Sequence, residues 1–336
     1  RSTYSRDVRE ATFAERFDEQ GAGGAVNDPN VTACRNLSGN PTAPAGCSVQ
    51  ITSVAVGNPN LAPEKADTVT LGAVFRPSFV DGLQMSVDYY NVNVDDAIGQ
   101  LGFQRIVDDC FRNIDPALCA YVERDAASQV IGRVKNPYLN VAKTTVKGVD
   151  YEAQYTLRPD FLGSQSETLT FRAFASNILK RSNKSSDTAA VNRFDGGFTG
   201  GVLYPKWKGT ASLTYTFGKW DAQLTEEWIS KSKIDTTWID TAAFAAGDRV
   251  VNGVTKTLPD VDDNWLPNYF NTNARIGYRD ETAAGHTWDL SFYVTNLLDK
   301  HPMVIPSYNS RTGSQTVSNN YDAYGRRYVL GVNFRY

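Results

Sequence analysis

Apolar and polar residues alternate with period two along most of this chain, the signature of strands with one apolar and one polar face. In the closing "RYVLGVNFRY", Tyr328, Leu330, Val332, Phe334 and Tyr336 share one face, while Arg327, Val329, Gly331, Asn333 and Arg335 share the other. "DTVTLGAVF" sets Val69, Leu71, Ala73 and Phe75 against Thr68, Thr70, Gly72 and Val74. "LQMSVDYY" groups Leu83, Met85, Val87 and Tyr89, and "VDYEAQYTL" groups Val149, Tyr151, Ala153, Tyr155 and Leu157. The same reading applies to "LTFRAFA", "WKGTASLTYTF", "WDAQLTEEW", "FNTNARIGY" and "TWDLSFYVTN". With the opening "RSTYSRDVRE", the pattern predicts roughly ten strands, each long enough to cross a bilayer at a tilt.

The connections alternate in length. Short ones are expected at Arg76–Leu83, Arg158–Thr168, Phe217–Trp220 and Asp280–Thr287, and long ones at about 13–64, 98–140, 182–204, 236–264 and 300–323. A soluble sandwich has no reason to segregate its loops this way. An outer-membrane barrel does, with short periplasmic turns and long outer loops. The expected fold is therefore all-β, an antiparallel transmembrane β-barrel. Phe217, Trp220 and Trp288 all fall beside short turns, where an interfacial aromatic girdle belongs.

Composition adjusts this picture only slightly. The chain has 336 residues, a net charge of -3, 41% hydrophobic and 12% aromatic residues. Its mean hydropathy is -0.39, modest as expected of strands that alternate lipid-facing and lumen-facing residues. No apolar run reaches the length of a transmembrane helix. No basic stripe suggests a nucleic-acid partner. "RSTYSRDVRE" carries neither a Met nor a signal segment, and reads as the middle of something.

The four cysteines fall as Cys34 and Cys47, then Cys110 and Cys119, each pair inside one expected outer loop. Three connectivities are possible, and the local bridges Cys34–Cys47 and Cys110–Cys119 are the economical choice. Zinc is disfavoured, because no CxxC occurs and the only histidines are His286 and His301.

Several stretches resemble the C-terminal half of a TonB-dependent outer-membrane receptor. "YSRDVREATFAERFD" carries a Ser, an Arg and a later Glu at Ser5, Arg9 and Glu15. "GNPNLAPEKADTVTLGAVFRP" is similar to the family's G-N-x-x-L-x-P-E segment entering a strand, and "GLQMSVDYYNVNVDDAI" to its next strand. "KGVDYEAQY" is similar to a further strand around Gly148, "VTNLLDKHP" to the penultimate strand, and "YDAYGRRYVLGVNFRY" to the terminal one. The resemblance implies that residues 1–336 are about ten C-terminal strands of a barrel of about 22 strands, with the plug and first strands preceding them. It implies uptake of a scarce nutrient (a siderophore, vitamin complex or oligosaccharide), no enzymatic activity and no cofactor. Its partners would be outer-membrane lipid, the TonB system through the plug, and the barrel-assembly machinery, which reads a terminal aromatic signal here at Phe334 and Tyr336. A passive porin or a surface hydrolase is the alternative.

No catalytic constellation stands out. His286 and His301 belong to opposite ends of the barrel. "PDVDDNW", with Asp260, Asp262 and Asp263, lacks the glycine and distal Glu of an EF-hand and reads as a solvated loop. "VDDCFRNIDPALC" reads as a disulfide-stapled helical turn. The candidate ligand surface is the set of long loops, where Tyr121, Tyr138, Trp238, Trp265, Tyr269, Tyr308 and Tyr321 offer rings for stacking. Arg172 and Arg275 are expected to face the lumen.

Overall fold

A computed structural model describes residues 1–28, 48–111, 115–163, 167–184, 191–199, 202–236, 239–240, 248–251, 254–257, 260–261, 264–282, 285–305, 315–316 and 320–335. Ten strands form one antiparallel path, each pairing with the next in order. They are Ser2–Arg9, Glu64–Phe75, Leu83–Gln100, Ile131–Leu157, Thr168–Lys184, Trp207–Phe217, Trp220–Ile229, Tyr269–Glu281, Thr287–Thr295 and Arg327–Arg335. The sheet is an open arc of barrel wall, with Ser2–Arg9 and Arg327–Arg335 at its edges. The four short turns fall where the alternation predicts them. No helix among the described residues is long and apolar enough to cross a membrane.

The register makes the apolar faces continuous. Ala73, Val87, Tyr151, Ala175, Gly209, Trp228 and Phe270 form one cross-strand row. Leu157, Leu169, Tyr215, Ala222, Ile276, Phe292 and Leu330 form another. Large apolar side chains on this face stay uncovered, with Leu330 71% and Leu71 54% exposed. A face this wide and this apolar is stable against lipid tails, not against water. Glu226 departs from the pattern; its carboxylate accepts a hydrogen bond from Thr272 Oγ1 at 2.6 Å. The aromatic girdle is present at the short-turn end: Trp220 and Trp288 flank Tyr278 at 4.7 and 5.4 Å, and Phe217 stacks on Tyr215 at 5.2 Å.

The opposite face is polar and cross-linked. Arg172 Nε donates to Gln154 Oε1 at 3.0 Å. Arg275 pairs with Asp221 and donates through Nε to Tyr293 Oη at 2.9 Å. Both arginines therefore lie on the inner face, as expected.

Two of the expected long loops need correction. The 13–64 segment holds a helix, Phe13–Phe17, and a hairpin, Glu19–Asn27 with Ser48–Val56. The strand expected to begin near 140 begins at Ile131 and runs for 27 residues. Its outer part pairs with Ser48–Val56 and with Val122–Arg124. Ile131 and Val134 join Val26, Ile51, Ile106, Val107 and Leu118 in a small hydrophobic core. There the strand packs on protein rather than lipid, so the simple membrane alternation is lost. The helix Phe103–Phe111 and the 3-10 turn Pro116–Tyr121 complete this outer cap, joined by the disulfide Cys110–Cys119. That is the stapled helical turn expected from the sequence. Cys34 and Cys47 lie outside the described residues.

Motif residues sit where wall meets cap. Arg9 binds Glu15 through both terminal nitrogens at 3.0 and 3.1 Å and Glu64 through Nε at 2.6 Å. Thr12 and Glu15 form a reciprocal capping box on the short helix. Asn58 Nδ2 donates to the Tyr138 carbonyl at 2.9 Å, and Leu61 is buried. Gly57 is required, because a Cβ there would approach Phe17 N to 2.5 Å.

Candidate functional site

The inner face carries a polar cavity of about 380 Å³ at its long-loop end. Four wall strands supply one side. Glu227 lies opposite Asn271 and Thr295 opposite Arg327 in register, with Asn273 nearby. These residues recur on alternate positions, so the pleat aims them to one face. Residues 320–324 supply the other side. Tyr269 and Tyr321 meet edge to face at 4.8 Å at the long-loop end of this wall. Both belong to a second small core with Leu203 and Leu266. Burial pushes the Tyr321 hydroxyl up to about 12, with Tyr269 adding to the effect.

The lining has an unusual hydrogen-bond balance. Tyr269 Oη, Asn271 Oδ1, Thr295 Oγ1, Asn320 Oδ1 and Asp322 Oδ2 are buried without partners among the described residues. Buried polar atoms are normally paired, so a group of five in one cavity marks a place for donors to arrive. Asp322 Oδ1 accepts from Tyr324 N at 3.0 Å and lies 3.6 Å from Arg327. Asn271 Nδ2 donates to Glu227 at 3.4 Å. The vacant valences are thus mainly acceptors, suited to a solute rich in hydroxyl or amine hydrogens.

Five of the seven aromatic candidates lie among the described residues, and these five do not share one place. Tyr269 and Tyr321 come together, but as buried wall rather than exposed stacking platforms. Trp265 is partly exposed beneath the ammonium groups of Lys231 and Lys233, 4.9 and 5.4 Å from its ring. Tyr121 packs against the cap core, and Tyr138 lies within the long strand. Trp238 and Tyr308 lie outside the described residues, as do Asp262, Asp263 and Tyr336. The polar lining itself was not singled out from the sequence. Alternation places each of its strand residues on the inner face, but only pairing brings them to one level.

Asp108 and Asp109, in the stapled turn, are engaged by Gln104 and Arg105. No cluster of three or more potential metal ligands occurs among the described residues. His286 stands beside the Phe334 ring at 5.9 Å in a short turn, and His301 follows the Thr287–Thr295 strand at the long-loop end.

The model of a family described as TonB dependent receptor-like, beta-barrel, matches residues 1–297. No curated protein matches the chain. Among solved structures, a mutant ferric enterobactin receptor PfeA from Pseudomonas aeruginosa is similar at 17% identity and a TM-score of 0.53, over 84% of this chain and 33% of that one. A second PfeA mutant, in complex with enterobactin, is similar at 18% identity and a TM-score of 0.52, with the same coverage. The siderophore receptor PirA from Acinetobacter baumannii is similar at 13% identity and a TM-score of 0.48, over 84% of this chain and 33% of that one, a likeness too low to argue from. The chain spans about a third of the length of these structures.

Proposed function

The chain belongs to the TonB-dependent receptor-like β-barrel family, and from that premise we propose that it is the C-terminal part of an outer-membrane receptor. In this reading the receptor captures a scarce small solute at the outer mouth of its lumen and passes it inward with energy delivered through TonB. Members of this family are transporters rather than enzymes. The plug that meets TonB would lie in the rest of the polypeptide, and the long-loop end would face outward.

The observation that carries the reading is the cavity lined by Asn271, Thr295, Asn320 and Asp322, with its partnerless acceptors. It favours a hydroxyl-rich ligand, within the range of siderophores, vitamin complexes and oligosaccharides. The exposed ring of Trp265 would be a peripheral contact in the approach. Likeness to enterobactin receptors at 17–18% identity supports the fold and does not choose the solute.

The test is uptake by the full-length receptor in cells. Cells carrying Asn271→Ala with Asp322→Ala should need at least about tenfold more solute for half-maximal growth, the loss expected of two hydrogen bonds, one to a charged group. The folded receptor should reach the membrane unchanged. Uptake that persists at full rate without TonB would overturn the transporter reading. Full affinity in the double variant would remove this cavity as the site.

A further inference from the structure

Lysines face one another on the outer wall. Lys147 stands directly opposite Lys180, and Lys143 directly opposite Lys184, on strands 131–157 and 168–184. Like charges in direct cross-strand opposition repel. Lys143 has the Asp95 carboxylate 4.0 Å away, while Lys147 and Lys180 have no such carboxylate among the described residues. Exposed Lys65 lies opposite Asp95 in the adjoining register. Among the described residues the patch brings together Lys65, Lys143, Lys147, Lys180 and Lys184, with Asp95 between Lys65 and Lys143.

Its level on the wall is informative. Lys147 shares a face with Val149, Tyr151, Ala153, Tyr155 and Leu157, the apolar side of the sheet. From Leu157 to Val149 the strand advances about 27 Å, or about 21 Å in height at a tilt of about 40°. That nearly spans an apolar band of about 25 Å. Lys147 lies two residues further on, where headgroups begin. Register shifts between Gly148↔Ile178 and Lys147↔Lys180, so Leu179 is the extra residue of a bulge. Leu179 is 48% exposed, and Trp207 stacks on Tyr151 at 5.8 Å just below. A paired ammonium row directly above an aromatic and apolar band matches the charge sequence of a phosphorylated lipid, with phosphate over acyl chain.

We propose that Lys147 and Lys180, flanked by Lys143 and Lys184, form a binding site on the outer wall for the phosphate of an anionic outer-leaflet lipid. The site rests on this face lying in the membrane and is independent of what the lumen transports. The phosphate relieves the lysine–lysine repulsion, and the acyl chains lie along Leu179, Val149 and Tyr151.

The full-length receptor, reconstituted in phosphatidylcholine vesicles with or without lipid A, tests this by native mass spectrometry of the lipid it retains after extraction. The wild type should retain lipid A. Lys147→Gln with Lys180→Gln should weaken retention about tenfold or more, the scale for removing two lysines from a charged lipid surface. Lys208→Gln, on the inner face, should leave it unchanged. Equal retention by wild type and double variant would overturn the site, as would an equal loss in Lys208→Gln. Displacement of lipid A by millimolar inorganic phosphate would overturn it too, as a site for soluble anions. A receptor that does not insert into phosphatidylcholine at all would overturn the membrane placement, a separate and visible failure.

Discussion

Gly148 shows how closely the inner wall is fitted. A Cβ on this residue would collide with Tyr90 Oη and lie 2.7 Å from the Asn177 carbonyl. Tyr90 is paired with it in register and covers the backbone that the missing side chain leaves open. Gly148→Ala should therefore lower barrel stability by about 1–3 kcal/mol, the usual cost of overpacking. Urea unfolding in micelles would measure this, and Tyr90→Ala in the same chain should restore part of the loss. The Arg9 knot makes a second prediction at this scale. The Arg9 guanidinium, helped by the Thr12 amide, holds the Glu15 carboxyl down to about 2 from an ordinary 4.5. A depressed carboxyl stabilises the fold fully above its unfolded value and stops doing so as pH falls through the folded one. The stability gap between wild type and Glu15→Gln should be widest above about pH 5 and close between about 4.5 and 2. A gap that stays constant down to pH 2 would mean Glu15 acts through packing alone. Ser5, Arg9 and Glu15 were visible in the sequence as a spaced set, whereas the partners Glu64 and Ile98 N came only with the fold.

Among the described residues, the outer cap depends on a core of seven buried residues and the Cys110–Cys119 disulfide. Cys110 and Cys119 are nine residues apart. Removing the bridge by Cys110→Ser with Cys119→Ser should cost about 2–3 kcal/mol locally, by the loop-entropy estimate. Limited proteolysis should then cut between 101 and 131 much faster while the wall strands stay protected. Val134→Ala should open the same region, by about 1–3 kcal/mol, through the cavity it leaves. The stapled turn was legible because cysteines and a helical run sit close in sequence. The hairpin from Glu19 to Val56 was not. "EQGAGGAVN" has too many glycines to show an alternating face, and its partner strand runs parallel to residues 131–157 by a long-range pairing. The motif "NLLDK" was recognisable as a stretch but not as a device. Asn296 is fully buried at positive φ, receives the Lys300 amide, donates to the Lys300 carbonyl, and closes the strand end into a ring.

For the whole molecule, the decisive information was the alternation itself. It gave ten strands, their order and their apolar face, because a sheet in lipid must repeat the same outward choice on every strand. The cavity was not legible, since its residues come from separate strands and a loop, and only register aligns them. At this scale the role of Phe334 is open to test. Phe334 is 57% exposed on the lipid face. We propose that it forms part of the signal read during barrel assembly, together with Tyr336. Phe334→Ala should slow the appearance of heat-modifiable receptor in a pulse-chase several-fold, with the final product equally stable; an unchanged rate would assign Phe334 to the girdle alone.

The aromatic belts also make the barrel its own optical gauge. Trp220 and Trp288 lie by the short turns, while Trp228 sits eight residues up the strand from Trp220, about 20 Å higher across the bilayer. Trp207, stacked on Tyr151, occupies the same upper region. With Trp238 and Trp265 replaced by Phe, two indole pairs of this chain emit from opposite membrane surfaces. A quencher confined to one leaflet should dim one pair and spare the other, and the ratio would report the barrel's orientation without any label.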